Sequence, residues 1–129
     1  VLLMIHVDVK NAKRQKKELT KKAVLFAFCC LAPRMRKDIE IEILFSRLHG
    51  VCGYQHETDD RCFEIELSNK LQGDDLLTAI FHEVTHCVQD LRKNKSGWEL
   101  PYYERPFEIE AYEQQEIILK KWNKMHFGH

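Results

Sequence analysis

The chain has 129 residues, of which 44% are hydrophobic and 31% are charged, a balance that supports one core and excludes gross disorder. Its 20 basic and 20 acidic residues cancel to a formal net charge of +0, so composition does not indicate a broad nucleic-acid or membrane surface. We expect a single domain over residues 1–129.

The first third of the chain predicts a strand, a helix and a second strand. Residues 1–9 are apolar and β-rich, which indicates a strand. A basic, polar segment covers residues 11–20, and a helical pattern runs from residue 18 to residue 31, where Pro33 ends it. Residues 38–48 alternate isoleucine with glutamate and leucine, which is typical of a strand.

Basic residues are concentrated in and before this first helix. We interpret them as a solvated helix face, with phosphate binding as the alternative. They are Lys10, Lys13, Arg14, Lys16, Lys17, Lys21 and Lys22.

The middle of the chain leads into the main motif. Residues 50–54 are rich in glycine and predict a turn, residues 55–61 predict a polar loop or hairpin tip, and residues 62–67 alternate as a second clear strand. Gly73, Asp74 and Asp75 then begin a helix, with an aspartate expected as its N-cap.

Residues 76–91 carry apolar side chains at steps of three and four, the period of an amphipathic helix, and contain H-E-x-x-H. His82 and His86 are four apart, so they share one helical face and can bind one metal ion. Glu83 lies beside them and can act on a metal-bound water. The alternative is a helix with two polar residues and no metal.

The end of the chain predicts a loop and a long helix. A basic turn at residues 92–97 ends the motif helix, residues 98–104 form a loop with two adjacent tyrosines, and Pro106 fits the first position of a last helix that runs to about residue 124. Residues 125–129 are predicted to be a tail. Its histidines are interpreted as surface residues. The alternative is that one of them occupies a coordination position that the other protein ligands of the metal leave open.

Five cysteines, at positions 29, 30, 52, 62 and 87, are odd in number and irregularly spaced, which favours reduced thiols in a cytoplasmic protein. Cys52 and Cys62 flank a loop, so a disulfide, or a second metal site with His49 or His56, is the alternative. No signal peptide is recognised, and the apolar run at residues 23–32 is too short to span a bilayer.

A catalytic zinc usually has three protein ligands, so a third is expected after the motif helix. A ligand needs rigid support, which favours Glu108 and Glu110 in the first turn of the last helix. They are two residues apart and face different sides, so only one of them can bind, and the pattern leaves the choice open. The full set of candidates is His126, His129, Glu99, Glu104, Glu108, Glu110 and Glu113.

Three blocks of the chain together resemble the small gluzincin metallopeptidases, including the minigluzincins and phage-encoded zincin-like proteins. They are the strand at residues 63–67, the helix at residues 77–89 with H-E-x-x-H followed by V-x-Q, and the segment R-P-F-E-I-E-A-Y at residues 105–112. The resemblance covers roughly the last two thirds of the chain. It implies that Glu108, with Ala111 three residues later, is the third zinc ligand. Glu110 is then the fallback or an acceptor for a histidine N–H.

The resemblance also implies an α+β, zincin-like fold. A small mixed sheet packs on the active-site helix, and a C-terminal helix carries the third ligand. The strand at residues 63–67 is expected to be the edge strand that borders the cleft and receives the substrate in extended form.

We therefore expect a Zn²⁺-dependent peptidase in which His82, His86 and Glu108 hold the metal. Zinc lowers the pKa of its water to about 7, and Glu83 transfers the proton to the leaving amine. The oxyanion donor is expected among four nearby residues. They are Tyr102, Tyr103, Arg105 and Tyr112.

The expected partner is a peptide or protein substrate, with no nucleic acid and no membrane; the sequence leaves the oligomeric state open. The main alternative is a catalytically silent zincin-fold binding module with structural zinc, although Glu83 argues against it. A DNA-associated SprT-like protease is less favoured, because such proteins resemble H-E-x-x-H enzymes with a histidine as third ligand. No histidine occurs between His86 and His126.

Overall fold

The computed structural model describes residues 5–35, 37–48 and 50–128. Within these residues the chain forms a mixed four-stranded sheet and three α-helices, so the predicted α+β class is confirmed. The elements in chain order are β1 (Ile5–Lys10), α1 (Arg14–Leu31), β2 (Ile39–Ser46), β3 (Gly53–Asp59), β4 (Cys62–Ser68), α2 (Gly73–Arg92), a 3₁₀ turn (Tyr102–Glu104) and α3 (Pro106–Phe127).

The strands are arranged in the order β1-β2-β4-β3. β1 and β4 both pair with β2 in parallel, and β3 pairs with β4 in an antiparallel hairpin. Two predictions were wrong here. Residues 55–59 are strand rather than loop, with only residues 60–61 forming the hairpin tip, and β4 lies inside the sheet, so β3 and not residues 63–67 provides the edge on that side.

The reason that β3 escapes sequence patterning is its exposure. Five of its seven residues are exposed, and its side chains are almost all polar, so no apolar alternation marks it. Its register comes instead from the backbone ladder with β4, closed by a short turn in which Arg61 has a φ of 59°.

The core lies between one face of the sheet and the helices. The odd-numbered residues of β2 and β4 point into it and are buried, while Glu40, Glu42 and Glu64 point to the opposite, polar face. Apolar residues of α1 and α2 complete this core, which the alternation in residues 38–48 and 62–67 correctly predicted.

α2 is the central helix of the fold. It packs against α1, α3 and the strands β3 and β4, and its residues from Leu76 to Gln89 are buried except at Thr78. The predicted aspartate N-cap is wrong, because the capping position is Gln72 and makes no side-chain cap. Asp74 and Asp75 lie in the first turn instead, where their charges interact favourably with the helix dipole.

Helix boundaries differ from prediction at both ends of the chain. α1 already begins at Arg14, so much of the basic segment is helical; the apolar pattern starts later because the early turns are mostly exposed. α3 continues to Phe127 and ends at Gly128, whose φ of 72° suits glycine, so the predicted tail is largely helix. In the first predicted strand, residues 1–4 lie outside the described part.

A search of the described residues found no helix of sufficient length and apolarity to cross a membrane.

The depth of the core can be tested on α1. Phe28 is fully buried, so Phe28→Ala should lower the free energy of unfolding by about 3–5 kcal/mol, through lost burial and the cavity that is left. Leu25 on the same helix is 42% exposed, so Leu25→Ala is the matched control and should change it by less than about 1 kcal/mol. Urea denaturation measures both, and equal losses would contradict this packing.

Candidate metal centre

Two turns of α2 and the first turn of α3 bring three polar atoms together. Nε2 of His82 lies 3.2 Å from Nε2 of His86. Oε1 of Glu108 lies 3.2 Å from the His82 nitrogen and 2.8 Å from the His86 nitrogen. All three side chains are buried. The i, i+4 spacing therefore does place both imidazoles on one face, and Glu108 meets them from the facing helix.

The orientation of His86 is determined by Gln89, one turn further along α2. The amide nitrogen of Gln89 donates to the Phe107 carbonyl and to the Glu110 carboxylate, both at 2.8 Å. The amide oxygen therefore faces Nδ1 of His86, at 2.7 Å. Nδ1 must be the donor in that bond, so neutral His86 presents a bare Nε2 to the centre.

His82 is held in the same way from α3. Its Nδ1 lies 2.8 Å from the Gln115 amide oxygen, while the amide nitrogen of Gln115 donates to Glu116. The Tyr112 ring lies 4.6 Å from the His82 ring, centroid to centroid, at 62°. Hydrogen bond and ring contact together set the imidazole plane, so the second Nε2 also faces the centre.

Three acceptors thus converge on one point inside the protein. Two lone pairs and a carboxylate oxygen at this separation repel one another unless a cation lies among them, either a proton or a metal ion. Ligand atoms bound to one tetrahedral zinc at about 2.0–2.2 Å lie roughly 3.3–3.6 Å apart, close to the observed spacing. The buried group His82, His86 and Glu108 can therefore hold a metal ion, and it is the only such group among the described residues.

The directions of the pKa shifts at the centre also indicate that a positive charge is favoured there. Burial alone would raise the pKa of Glu108, but the imidazoles of His82 and His86, which donate hydrogen bonds to it when they are protonated, lower it to about 2. Burial lowers the pKa of His82, yet Glu108 and Glu83 outweigh it and leave that pKa raised. The anionic carboxylate is thus favoured at neutral pH, as a metal ligand requires.

Glu83 lies beside the centre without being one of the converging ligands. Its side chain is buried, and no group among residues 5–35, 37–48 and 50–128 donates a hydrogen bond to it. Burial raises the pKa of this carboxyl above its usual range, with His86 and His82 opposing the shift. It borders the same cleft as His82, so it is accessible to a water or a ligand in that cleft.

A cleft of about 620 Å³ opens onto His82 and Glu83. α2 provides its floor, residues 50–53 form one wall, and Tyr102, Tyr103 and Tyr112 form the other. A glycine is required at position 53, the first residue of β3, because a Cβ there would lie 2.8 Å from the Glu66 carbonyl oxygen of β4. Centre and cleft together form a metal-ligand group with an approach from solvent.

The structure separates the other candidate ligands from the centre. Glu110 is exposed and accepts a hydrogen bond from Gln89, so it helps to orient His86 only indirectly, through Gln89. His126 bonds to the Trp122 carbonyl and stacks on the Trp122 ring at 4.1 Å, away from His82. Glu99, Glu104 and Glu113 are exposed and lie outside the converging group, and His129 is outside the described residues.

The cysteine predictions have a similar outcome. Cys52 and Cys62 are free thiols, so no disulfide joins them, and His56 pairs with Glu64 at 3.2 Å rather than with a thiol. His49 is outside the described residues. Cys87, although it lies within the motif helix, is fully buried in the core.

Among the predicted oxyanion donors, the structure brings three of four to the cleft. The Tyr102 and Tyr112 hydroxyls lie 3.5 Å apart, and Tyr103 adjoins them. Burial, with the Tyr112 hydroxyl, raises the pKa of Tyr102, so its hydroxyl stays protonated at neutral pH. Arg105 is engaged elsewhere, because it donates to the Leu100 carbonyl and lies over the Trp98 ring.

The roles of Gln89 and Gln115 were not predicted from the sequence. The spacing of Gln89 could have indicated its role, because it lies three residues after His86 on the same helix and therefore next to it. Gln115 lies seven residues after Glu108, two turns along the same face of α3.

Comparisons with models of known protein families, with curated proteins and with solved structures found no match. The resemblance to small gluzincins therefore stays a prediction.

The two glutamines provide a test of the centre. Gln89→Met or Gln115→Met removes the acceptor that orients one imidazole, so the affinity for Zn²⁺ should fall about 10–100-fold. Gln114→Met, next to Gln115 on α3 but without a contact to either histidine, is the control and should bind as tightly as the wild type. Competition titration with a chromogenic chelator measures the affinities, and unchanged binding in both test variants would contradict the assigned roles.

Proposed function

We propose that this chain is a zinc metallopeptidase of the gluzincin type with a zincin-like fold. The observation that supports it best is the convergence of three acceptors, His82, His86 and Glu108, with a bare carboxylate, Glu83, in the same cleft. A structural metal site would require His82, His86 and Glu108 but not Glu83.

The donor set favours zinc. Two imidazole nitrogens and one carboxylate oxygen form one of the ligand sets of catalytic zinc, and three ligands leave a fourth position for water. When bound, zinc supplies the acidity of that water and the polarisation of the scissile carbonyl.

In this proposal the residues of the chain move the proton and position the peptide. Glu83 accepts the proton of the attacking water and passes it to the nitrogen of the leaving amine. The Tyr102 and Tyr112 hydroxyls are the donors best placed to bind the carbonyl oxygen as it gains negative charge, because both border the cleft beside His82.

An extended peptide or protein segment is the proposed substrate. The sheet offers β3 as its edge on this side, and the chain that enters β3, residues 50–53, forms a cleft wall. A substrate strand that pairs there would run past His82 and Glu83, with its backbone satisfied by the edge. No nucleic-acid partner is included in the proposal.

Metal binding is the first test. The purified protein should take up about one Zn²⁺ per chain, because the centre offers three ligands. His82→Ala, His86→Ala and Glu108→Ala should each lose it, whereas Glu110→Gln should retain it, since Glu110 is bonded to Gln89 and lies outside the converging group. Elemental analysis after dialysis measures the ratio, and a wild type that stays metal-free in excess zinc would refute the proposal.

Catalysis is tested separately with Glu83→Gln. The amide occupies the same space and Glu83 is not a ligand, so the variant should keep its metal and its thermal unfolding temperature. It should lose peptidase activity by at least about 100-fold, because it cannot accept a proton. Mass spectrometry of a broad peptide mixture reports the cleavage. Absence of cleavage by zinc-loaded wild type would favour the binding module with structural zinc.

A further inference from the structure

An aromatic corner lines one wall of the cleft. The Tyr102 and Tyr103 rings lie 5.0 Å apart, centroid to centroid, and are nearly perpendicular at 88°. The Tyr112 ring lies 6.4 Å from that of Tyr103. Tyr103 is 77% exposed, and the other two are about 40% exposed. Three large aromatic rings are thus exposed to solvent beside the candidate metal centre. Packing within the folded chain does not require this exposure.

The charge of the same cleft is negative. Asp75, exposed in the first turn of α2, lines the cleft together with Glu83. No lysine or arginine is found among the described residues that line it. A positively charged ligand group would therefore meet no competing cation of the protein outside the metal centre itself.

We infer that the cleft binds a cationic side chain, lysine or arginine, of the peptide substrate, held by the tyrosine corner and by Asp75. This inference rests on the proposed peptidase function and adds a substrate class to it. A cation is attracted to the faces of aromatic rings, and rings that meet at right angles offer two such faces to one group. Arginine adds planar stacking on the rings and N–H donors for the Asp75 carboxylate.

An apolar side chain is the competing occupant, because tyrosine rings also bury apolar area. Two features favour the cation. The hydroxyls of Tyr102 and Tyr112 point to each other across 3.5 Å and make that part of the wall polar. Asp75 would gain an ion pair with a cation but would only be desolvated by an apolar group.

The position of Asp75 limits where in the substrate the cation lies. Asp75 precedes His82 by seven residues on α2, which is about 10.5 Å along the helix axis. An extended peptide covers that distance in about three residues. The cationic residue is therefore expected two or three positions from the scissile bond, not next to it.

The test compares short internally quenched peptides that differ at one position, which carries arginine, norleucine or phenylalanine. That position is moved along the peptide in turn, and the zinc-loaded wild type is assayed at low salt. At one position two or three residues from the cut, arginine should exceed norleucine about tenfold in kcat/KM, from cation–π contact plus one exposed ion pair. The preference should shrink at high ionic strength.

Two variant pairs isolate the groups involved. Asp75→Asn should lower kcat/KM about threefold for the arginine peptide and leave the norleucine peptide unchanged. Asp74→Asn removes the same charge from the same helical turn outside the cleft lining, so it should change neither. Tyr103→Leu should also reduce the arginine preference about threefold. Phe127→Leu, which removes an exposed aromatic ring at the C-terminal end of α3 outside the cleft lining, should not.

The outcomes separate this inference from the proposed function. If peptides are cut but phenylalanine or norleucine is preferred, or all three are equal, the inference is overturned and the peptidase proposal stands. If no peptide is cut, the peptidase proposal fails. Fluorescence anisotropy of labelled peptides on the zinc-loaded wild type then decides. Tighter binding of arginine than norleucine, lost in Asp75→Asn, supports the cationic cleft, and equal or absent binding overturns it.

Discussion

The contact on which the rest of the structure depends is the packing of the first turn of α3 against the middle of α2. Phe107 and Ala111 are buried in that contact, and Glu108 between them is carried to the two imidazoles. Burial of a carboxylate is costly, by several kcal/mol for an unpaired ion. Here the cost is offset by a cation, either a proton or a metal ion, that the carboxylate shares with the two His nitrogens at 2.8 and 3.2 Å.

Gln89 makes this packing specific rather than merely apolar. Its amide joins His86 on α2 to the backbone of Phe107 and to Glu110 on α3, so one side chain sets both the helix spacing and the imidazole tautomer. A slip of α3 by one residue would break two of these bonds and withdraw Glu108. The packing that joins the two helices therefore also brings the three acceptors of the candidate metal centre together.

A second network connects the edge strand to the centre. Lys95, just beyond the end of α2, pairs with Asp90 at 3.0 Å, and Gln55 on β3 bonds to both. The Lys95 ammonium also lies 5.8 Å from the centroid of Phe107. This partly buried group fastens β3 to α2 and places residues 50–53 beside the cleft. The wall that a substrate would meet is thus held by charged groups near the C-terminal end of α2.

Periodicity predicted the elements whose side chains are buried on one face. It identified β2, β4, the amphipathic α2 and the shared face of His82 and His86, because burial imposes a period of two or 3.6 on the sequence. It missed β3, whose polar side chains are mostly exposed and whose place is set by pairing with β4. The same omission put residues 63–67 at the edge, since strand order depends on which strands exist.

The choice between Glu108 and Glu110 shows what residue patterns alone do not contain. Glu108 lies in the first turn of α3 and Glu110 just after it, and nothing local distinguishes a carboxylate that points to α2 from one that points past it. The difference arises from the rotation of α3 that buries Phe107 and Ala111, a property of the packed pair. The resemblance to small gluzincins implied Glu108 because a family pattern records such a rotation indirectly, as a small residue three positions after the ligand.

The cleft walls extend this point to the substrate. Residues 50–53, which lead into β3, and the Tyr102–Glu104 turn lie in surface connections. Such segments tolerate many conformations, and periodic burial does not mark them in the sequence. The candidate metal centre lies on two helices and is predicted by H-E-x-x-H, whereas much of the cleft wall comes from connections that no spacing marks in the sequence. Spacing along a helix thus reveals the candidate ligands, and only three-dimensional proximity reveals the cleft beside them. The tyrosine corner illustrates this division, because Tyr102 and Tyr103 come from the loop and Tyr112 from α3, ten residues away from Tyr102 in sequence but within 3.5 Å of its hydroxyl.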